Sequence, residues 1–391
     1  MLPYWILFVT FAALTLFTAP YKISYGKPDL TLRQNFNLNI FKWLAILSLT
    51  FFIGLRYEVG GDWLNYKEIY FDLAKQDLLG SILLATDPLF GLINWLSGQL
   101  FLSDSSDFGP LNWKNKLLHG YVLVNLFSAF IFCIGLIKFC FSLPRPLLAL
   151  VVAVPYLITV VSMGYVRQAA ALGFIMYGIA ALNDNNLRRF IILTLIAALI
   201  HKASLIMLPM AVFISSKNRL LIFAGIALLA VSFGIILLES YLERIYLNYI
   251  EAEYSSSGAI FRLGMLVPPS LLYLCFQDRF RFNKLIKNLW KIFSITSLFL
   301  FLLLFLTSFS TFIDRIALFL LPLQMSIFSC LPDIFNKKHS GFLIAATVVY
   351  SGFVLFVWLN FAANSWAWIP YENVLFLEQS NISYKMDSPK T

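Results

Sequence analysis

The sequence predicts an all-α polytopic membrane protein with about 11–12 transmembrane helices. Three observations carry this. AVILMFWYC make up 60% of the 391 residues and DEKR only 13%, whereas soluble chains sit near about 47% and 25%. Mean hydropathy is +0.80. Apolar runs fall near 2–19, 40–55, 117–141, 147–163, 164–182, 190–200, 203–214, 219–238, 260–276, 291–309, 313–331 and 341–359. The basic residues also alternate between loops. Lys22, Lys27 and Arg33, then Lys138 and Arg145, Arg188 and Arg189, Lys217 and Arg219, Arg279 to Lys291, and Lys337 and Lys338 mark every second connection. That alternation is the signature of cytoplasmic loops.

The same numbers exclude other classes. A soluble fold of this composition would expose large apolar patches, and disorder requires low hydrophobicity. The net charge of +9 collects in short loops, so it reads as membrane orientation and not as a nucleic-acid surface. Cys133, Cys140, Cys275 and Cys330 lie in or beside apolar runs and imply neither a disulfide framework nor a zinc site. Met1 to Trp5 lacks a basic leader region, so the first run reads as a retained span with both termini outside.

In chain order, residues 1–378 form a single transmembrane domain and 379–391 a polar tail. Segment 56–116 carries eight acids against five bases and is expected outside as a large extracytoplasmic loop. Within it, Trp63, Tyr66, Ile69, Tyr70 and Leu73 share one face of an amphipathic helix, 62–79, expected to lie at the membrane interface. Asp87-Pro88 opens a further helix-like stretch, 88–102, too short to span. Run 190–214 is broken at His201-Lys202 and reads as a helical hairpin or re-entrant pair.

Ionisable groups at span ends are costly and therefore candidates for function. Five groups qualify, and the basic-loop topology puts all five outside: Arg56-Tyr57-Glu58 with Asp62, Asn65 and Tyr66; Tyr165, Arg167 and Gln168; His201 and Lys202; Asp314 and Arg315; and Trp368, Pro370 and Tyr371. Arg56, Arg167 and Arg315 offer planar forks suited to a pyrophosphate. The plainer alternatives are head-group snorkelling or pairing with a neighbouring acid, as Asp314 offers Arg315. Asp62 and Tyr66 share a helical face, with Asn65 beside them. Asp62 is either a base for a hydroxyl or the N-cap of the amphipathic helix. His201 is either a base or a polar cap at a hairpin tip. His119 and His339 carry no such expectation. No metal spacing, P-loop or G-x-S-x-G motif is present, and no cofactor is indicated.

The run Phe52-Ile-Gly-Leu-Arg56-Tyr57-Glu-Val-Gly-Gly-Asp62-Trp-Leu-Asn65-Tyr66 resembles the signature of the EpsG family: Arg-Tyr, Gly-x-Asp, then Asn-Tyr after the second span. Val166-Arg167-Gln168-Ala169-Ala170, Ile200-His201-Lys202-Ala203-Ser204, Asp314-Arg315 and Trp368-Ile369-Pro370-Tyr371 follow in family order. The chain departs from the pattern at Gly61, where Thr is usual, and at Lys202, where a small or apolar residue is common.

The resemblance implies a Wzy-like polysaccharide polymerase with a GT-C-like fold, in a bacterial cytoplasmic (inner) membrane with its site facing outward. It would transfer a growing glycan from undecaprenyl pyrophosphate to a lipid-linked repeat unit. Its partners would be the lipid bilayer and the undecaprenyl-pyrophosphate-linked oligosaccharide, with a chain-length regulator protein left open and no nucleic acid. Asp62, His201 and Glu58 are the catalytic candidates. Arg56, Arg167 and Arg315 would hold the pyrophosphate. Tyr57, Asn65, Tyr66, Gln168, Lys202, Asp314 and Tyr371 would contact sugar or support the site. An O-antigen ligase shares the donor chemistry. A flippase for the lipid-linked unit is the alternative of another class, and transporters of that kind often carry internal repeats, which this sequence lacks.

Overall fold

The computed structural model describes residues 1–18, 32–85, 87–102, 110–215, 258–307, 310–335 and 337–376. The expected span near 219–238, nearly all of the outward loop 239–259 and the tail 379–391 lie outside these residues. The chain is an all-α polytopic membrane protein. Among the described residues, six helices are long and apolar enough to cross a membrane: Leu118–Cys140, Pro146–Gly164, Ala259–Arg279, Lys284–Leu303, Ile313–Ile334 and Ser340–Phe361. Leu2–Phe17, Leu38–Gly54 and Lys202–Ile214 are shorter apolar helices.

The chain opens with α1 (Leu2–Phe17) and α2 (Leu32–Gly54), then strand β1 (Arg56–Tyr57). The outer segment folds as α3 (Trp63–Ala74), α4 (Leu78–Leu84) and α5 (Pro88–Leu102). Helix α3 stops at Ala74, short of the expected 79. There Asp77 starts a new helix, its carboxylate accepting from the Gly80 amide at 2.9 Å. The apolar face of α3 also meets protein. Trp63, Tyr66, Tyr70 and Leu73 are buried, and Tyr121 of α6 (Pro110–Cys140) donates to the Trp63 carbonyl at 3.0 Å.

Helix α6 packs along α9 (Val166–Asn183) at very close range. A β-carbon on Gly135 would sit 1.8 Å from the Gly173 carbonyl oxygen. Small residues at such crossings let membrane helices approach backbone to backbone. This contact fixes α9, and with it Arg167. Before α9, the span starting at Pro146 comprises α7 (Pro146–Ala153), a π-helical stretch (Val154–Val161) and α8 (Ser162–Gly164). Pro155 has no N–H to give the regular ladder, and π turns occur where that ladder is interrupted. The Thr159 carbonyl within the stretch accepts from the Trp368 indole at 2.8 Å.

Helix α10 (Leu187–Ile200) returns antiparallel to α9, and the chain reverses at His201. A 3₁₀ turn (Lys202–Met207) and α11 (Leu208–Ile214) form the descending arm. That arm ends where Asn288 donates to the Ile214 carbonyl at 3.1 Å, early in α13 (Lys284–Leu303). Helix α13 starts earlier than the apolar run at 291 because Asn283 caps it, accepting from the Ile286 amide at 2.9 Å. The remaining helices are α12 (Ala259–Phe276), α14 (Ser310–Leu320), α15 (Pro322–Ile334) and α16 (Ser340–Phe361). Strand β2 (Glu372–Asn373) pairs antiparallel with β1, Arg56 opposite Asn373 and Tyr57 opposite Glu372.

The two ends of the bundle differ in chemistry. One end is tied by the Arg145–Asp333 ion pair at 2.8 Å and by Asn283 bonded to the Leu182 and Asn183 carbonyls. The basic connections at 138–146, 183–189 and 277–291 sit there. The other end gathers the start of α9, the tip at His201, the start of α14 and the β1–β2 ribbon.

Candidate active site

The second end contains a polar cluster, called the recess below. Arg167, two residues past the helix break at Tyr165, donates to Asp87 Oδ2 at 2.7 Å. Its guanidinium carbon lies 5.4 Å from the Tyr66 ring centroid and 5.7 Å from that of Phe90. Asp87 Oδ1 accepts from the Lys202 amide at 3.0 Å. His201 Nδ1 stands 4.0 Å from Asp87 Oδ2, longer than a direct hydrogen bond. Gln168, buried, donates from Nε2 to the Arg315 carbonyl at 2.9 Å. One recess therefore collects α3, the α4–α5 turn, α9, the hairpin tip and α14.

Asp62 stands at the head of α3, half-buried, with no hydrogen bond from its side chain to the helix amides. Its carboxylate is thus not spent as a cap. Burial raises its pKa above the usual carboxylate range, opposed by the positive charges of Arg315 and Arg167. Arg315 and Asn65 are exposed near this rim.

Four expected site residues lie in or beside the β1–β2 ribbon. Arg56 is 1% exposed. Its Nε donates to the Val59 carbonyl at 3.0 Å, Nη1 to the Ile53 carbonyl at 2.7 Å and Nη2 to Asn125 Oδ1 at 3.3 Å. A guanidinium turned into the protein in this way does not present its fork to a pyrophosphate. Tyr57 is buried edge-on to Trp63. Glu58, at φ 50°, engages the Tyr57 hydroxyl. Tyr371 stacks on Phe52 at 4.8 Å and donates to the Phe52 carbonyl at 2.7 Å. These residues hold the ribbon in place. His201 is in the recess, but both ring nitrogens are buried and without a hydrogen-bond partner, the ring lying against Phe319.

Asp314 pairs with a residue the sequence reading passed over. Its carboxylate forms an ion pair with Arg262 of α12. Arg262 also bonds the Tyr156 hydroxyl of the π-helical stretch and lies within 3.4 Å of the Tyr165 hydroxyl. This knot fixes the helix break before Arg167 and the start of α14. The signal was present, since Arg262 lies inside the apolar run 260–276 and meets the rule that singled out Arg167. Asp87 was the other omission. In sequence it is an acid beside a proline in a polar loop, with nothing to show that it points inward. Among the described residues no group of three His, Cys, Asp or Glu side chains is placed to hold a metal ion.

No curated protein and no solved structure matches the chain. A family model matches residues 39–105 and 108–373, which include every residue of the recess. The sequence signature and this match agree, and the chain belongs to the EpsG family.

Proposed function

We propose that this protein is a polysaccharide polymerase that transfers a growing glycan from undecaprenyl pyrophosphate to a lipid-linked repeat unit. Family membership supports a Wzy-like, polymerase-type membrane protein. The observation that carries the finer reading is Asp62, half-buried at the head of α3 with its carboxylate not spent on the helix amides, and its raised pKa is opposed by the charges of Arg315 and Arg167. A carboxylate of raised pKa beside two cations suits a base working next to an anionic leaving group.

In this reading an acceptor hydroxyl attacks the anomeric carbon of the donor glycan. Its proton passes to Asp62. The bond from the anomeric carbon to the pyrophosphate oxygen breaks, and undecaprenyl pyrophosphate leaves as an anion stabilised by Arg167 and Arg315. A lipid pyrophosphate brings its own leaving group, so no nucleotide is required at the outer face. The basic connections gather at the opposite end of the bundle, and the positive-inside rule then supports an outward-facing site in a bacterial cytoplasmic membrane.

The test is a gel of surface polysaccharide from cells lacking this gene, complemented with wild type or Arg167→Ala. A ladder restored only by wild type supports the polymerase. Long polymer left on the lipid carrier points to a ligase. Repeat units trapped on the inner leaflet point to a flippase.

A further inference from the structure

Asp87 occupies the short turn between α4 and α5 and is 3% exposed. Its carboxylate joins two distant segments, the start of α9 at Arg167 through Oδ2 at 2.7 Å and the hairpin tip at the Lys202 amide through Oδ1 at 3.0 Å, with His201 Nδ1 nearby at 4.0 Å. Burial alone would raise its pKa, but His201, Arg167 and the Lys202 amide together hold it below the usual carboxylate range. An isolated buried carboxylate is unfavourable; one enclosed by donors is a fixed anchor. The Arg167 guanidinium is confined further by the Tyr66 and Phe90 rings. The side chain is 22% exposed, so part of it faces the recess.

We infer that Asp87 is a positioning residue for the leaving-group site: it fixes the Arg167 guanidinium and latches the hairpin tip, so that the cation meets a lipid pyrophosphate already oriented. This rests on the polymerase reading above. Donors fixed in advance stabilise developing charge without reorganisation during the reaction. Asp87 also carries a negative charge that weakens ground-state attraction for an anion. Its removal therefore acts oppositely on binding and on turnover, which a merely structural residue would not do.

The experiment uses the full chain in lipid nanodiscs with lipid-linked repeat units, comparing Asp87→Asn, Arg167→Lys and the double variant, each normalised to folded protein. Asp87→Asn is expected to lower kcat about tenfold or more without raising KM for the lipid-linked substrate. The double variant should be no slower than Arg167→Lys, because residues acting through one contact are not additive. Unchanged kcat in Asp87→Asn, or losses that multiply in the double variant, would overturn the inference. If Asp87→Asn does not fold, Asp87→Glu keeps the charge and shifts the carboxylate, and the same cycle is read with it. Full activity in Arg167→Lys and Arg167→Ala alike would sink the polymerase site itself, and the inference with it. That failure is told apart because it does not involve Asp87.

Discussion

Arg56 faces Asn373 across the β1–β2 ribbon, while its guanidinium turns back to the Ile53 and Val59 carbonyls and to Asn125. One side chain thus joins the end of α2, the loop leading to Asp62, and α6. Arg56→Ala is expected to orphan these acceptors at about 1–3 kcal/mol each. Its loss should appear first as a lower melting temperature in detergent and lower membrane abundance. A variant that keeps normal stability yet loses affinity for a lipid pyrophosphate would return Arg56 to the ligand site.

The glycine pair before Asp62 separates space from conformation. Gly60 has φ 109°, and a β-carbon there would meet the Met163 carbonyl oxygen at 2.4 Å. Gly61 has room, its nearest contact being the Trp368 ring at 3.9 Å. Gly60→Ala is expected to displace the loop and lose activity. Gly61→Ala should be tolerated, with a gain of about 0.4–1 kcal/mol from a less flexible unfolded chain. Thermal melts and polymer ladders of the two variants check this.

Asp62 sets a pH dependence. Its pKa is raised by burial, which the two arginines only oppose. As a base it works ionised, so activity should fall on acidification at a higher pH than an ordinary carboxylate, whose pKa is about 3.9. Asp62→Asn should lose turnover at every pH. Retained turnover with the same acid limb in that variant would exclude Asp62 as the base.

The Arg262–Asp314 pair lies buried between α12 and α14. Removing one partner leaves a buried charge and is expected to cost about 3–5 kcal/mol, whereas replacing both with apolar residues of similar size is often close to neutral. Asp314→Leu and Arg262→Met should each melt earlier than the double variant. Single losses that simply add would show that the pair is not coupled.

The helices were legible because apolar runs in a membrane chain have few alternatives, and the runs at 2–19 and 341–359 correspond closely to α1 and α16. The recess was legible in part. Arg167, Asp62 and Arg315 stood out as charges at span ends, and they share one rim. Direction was not legible. Arg56 and Tyr371 carry the same motif prominence as Arg167, yet Arg56 turns to the Ile53 and Val59 carbonyls and Asn125, and Tyr371 to the Phe52 carbonyl, because the acceptors that the fold brings within reach decide orientation. Asp87 was hidden for the converse reason: its partners lie 80 and 115 positions away.

The most direct test of the account is extension of lipid-linked repeat units by purified protein in nanodiscs, read as a ladder, with wild type beside Asp62→Asn and Arg167→Ala. Wild type is expected to give a ladder, with release of free lipid pyrophosphate for each bond formed, and either variant single units. Single units with folded wild type, or a ladder undiminished by both substitutions, would contradict it.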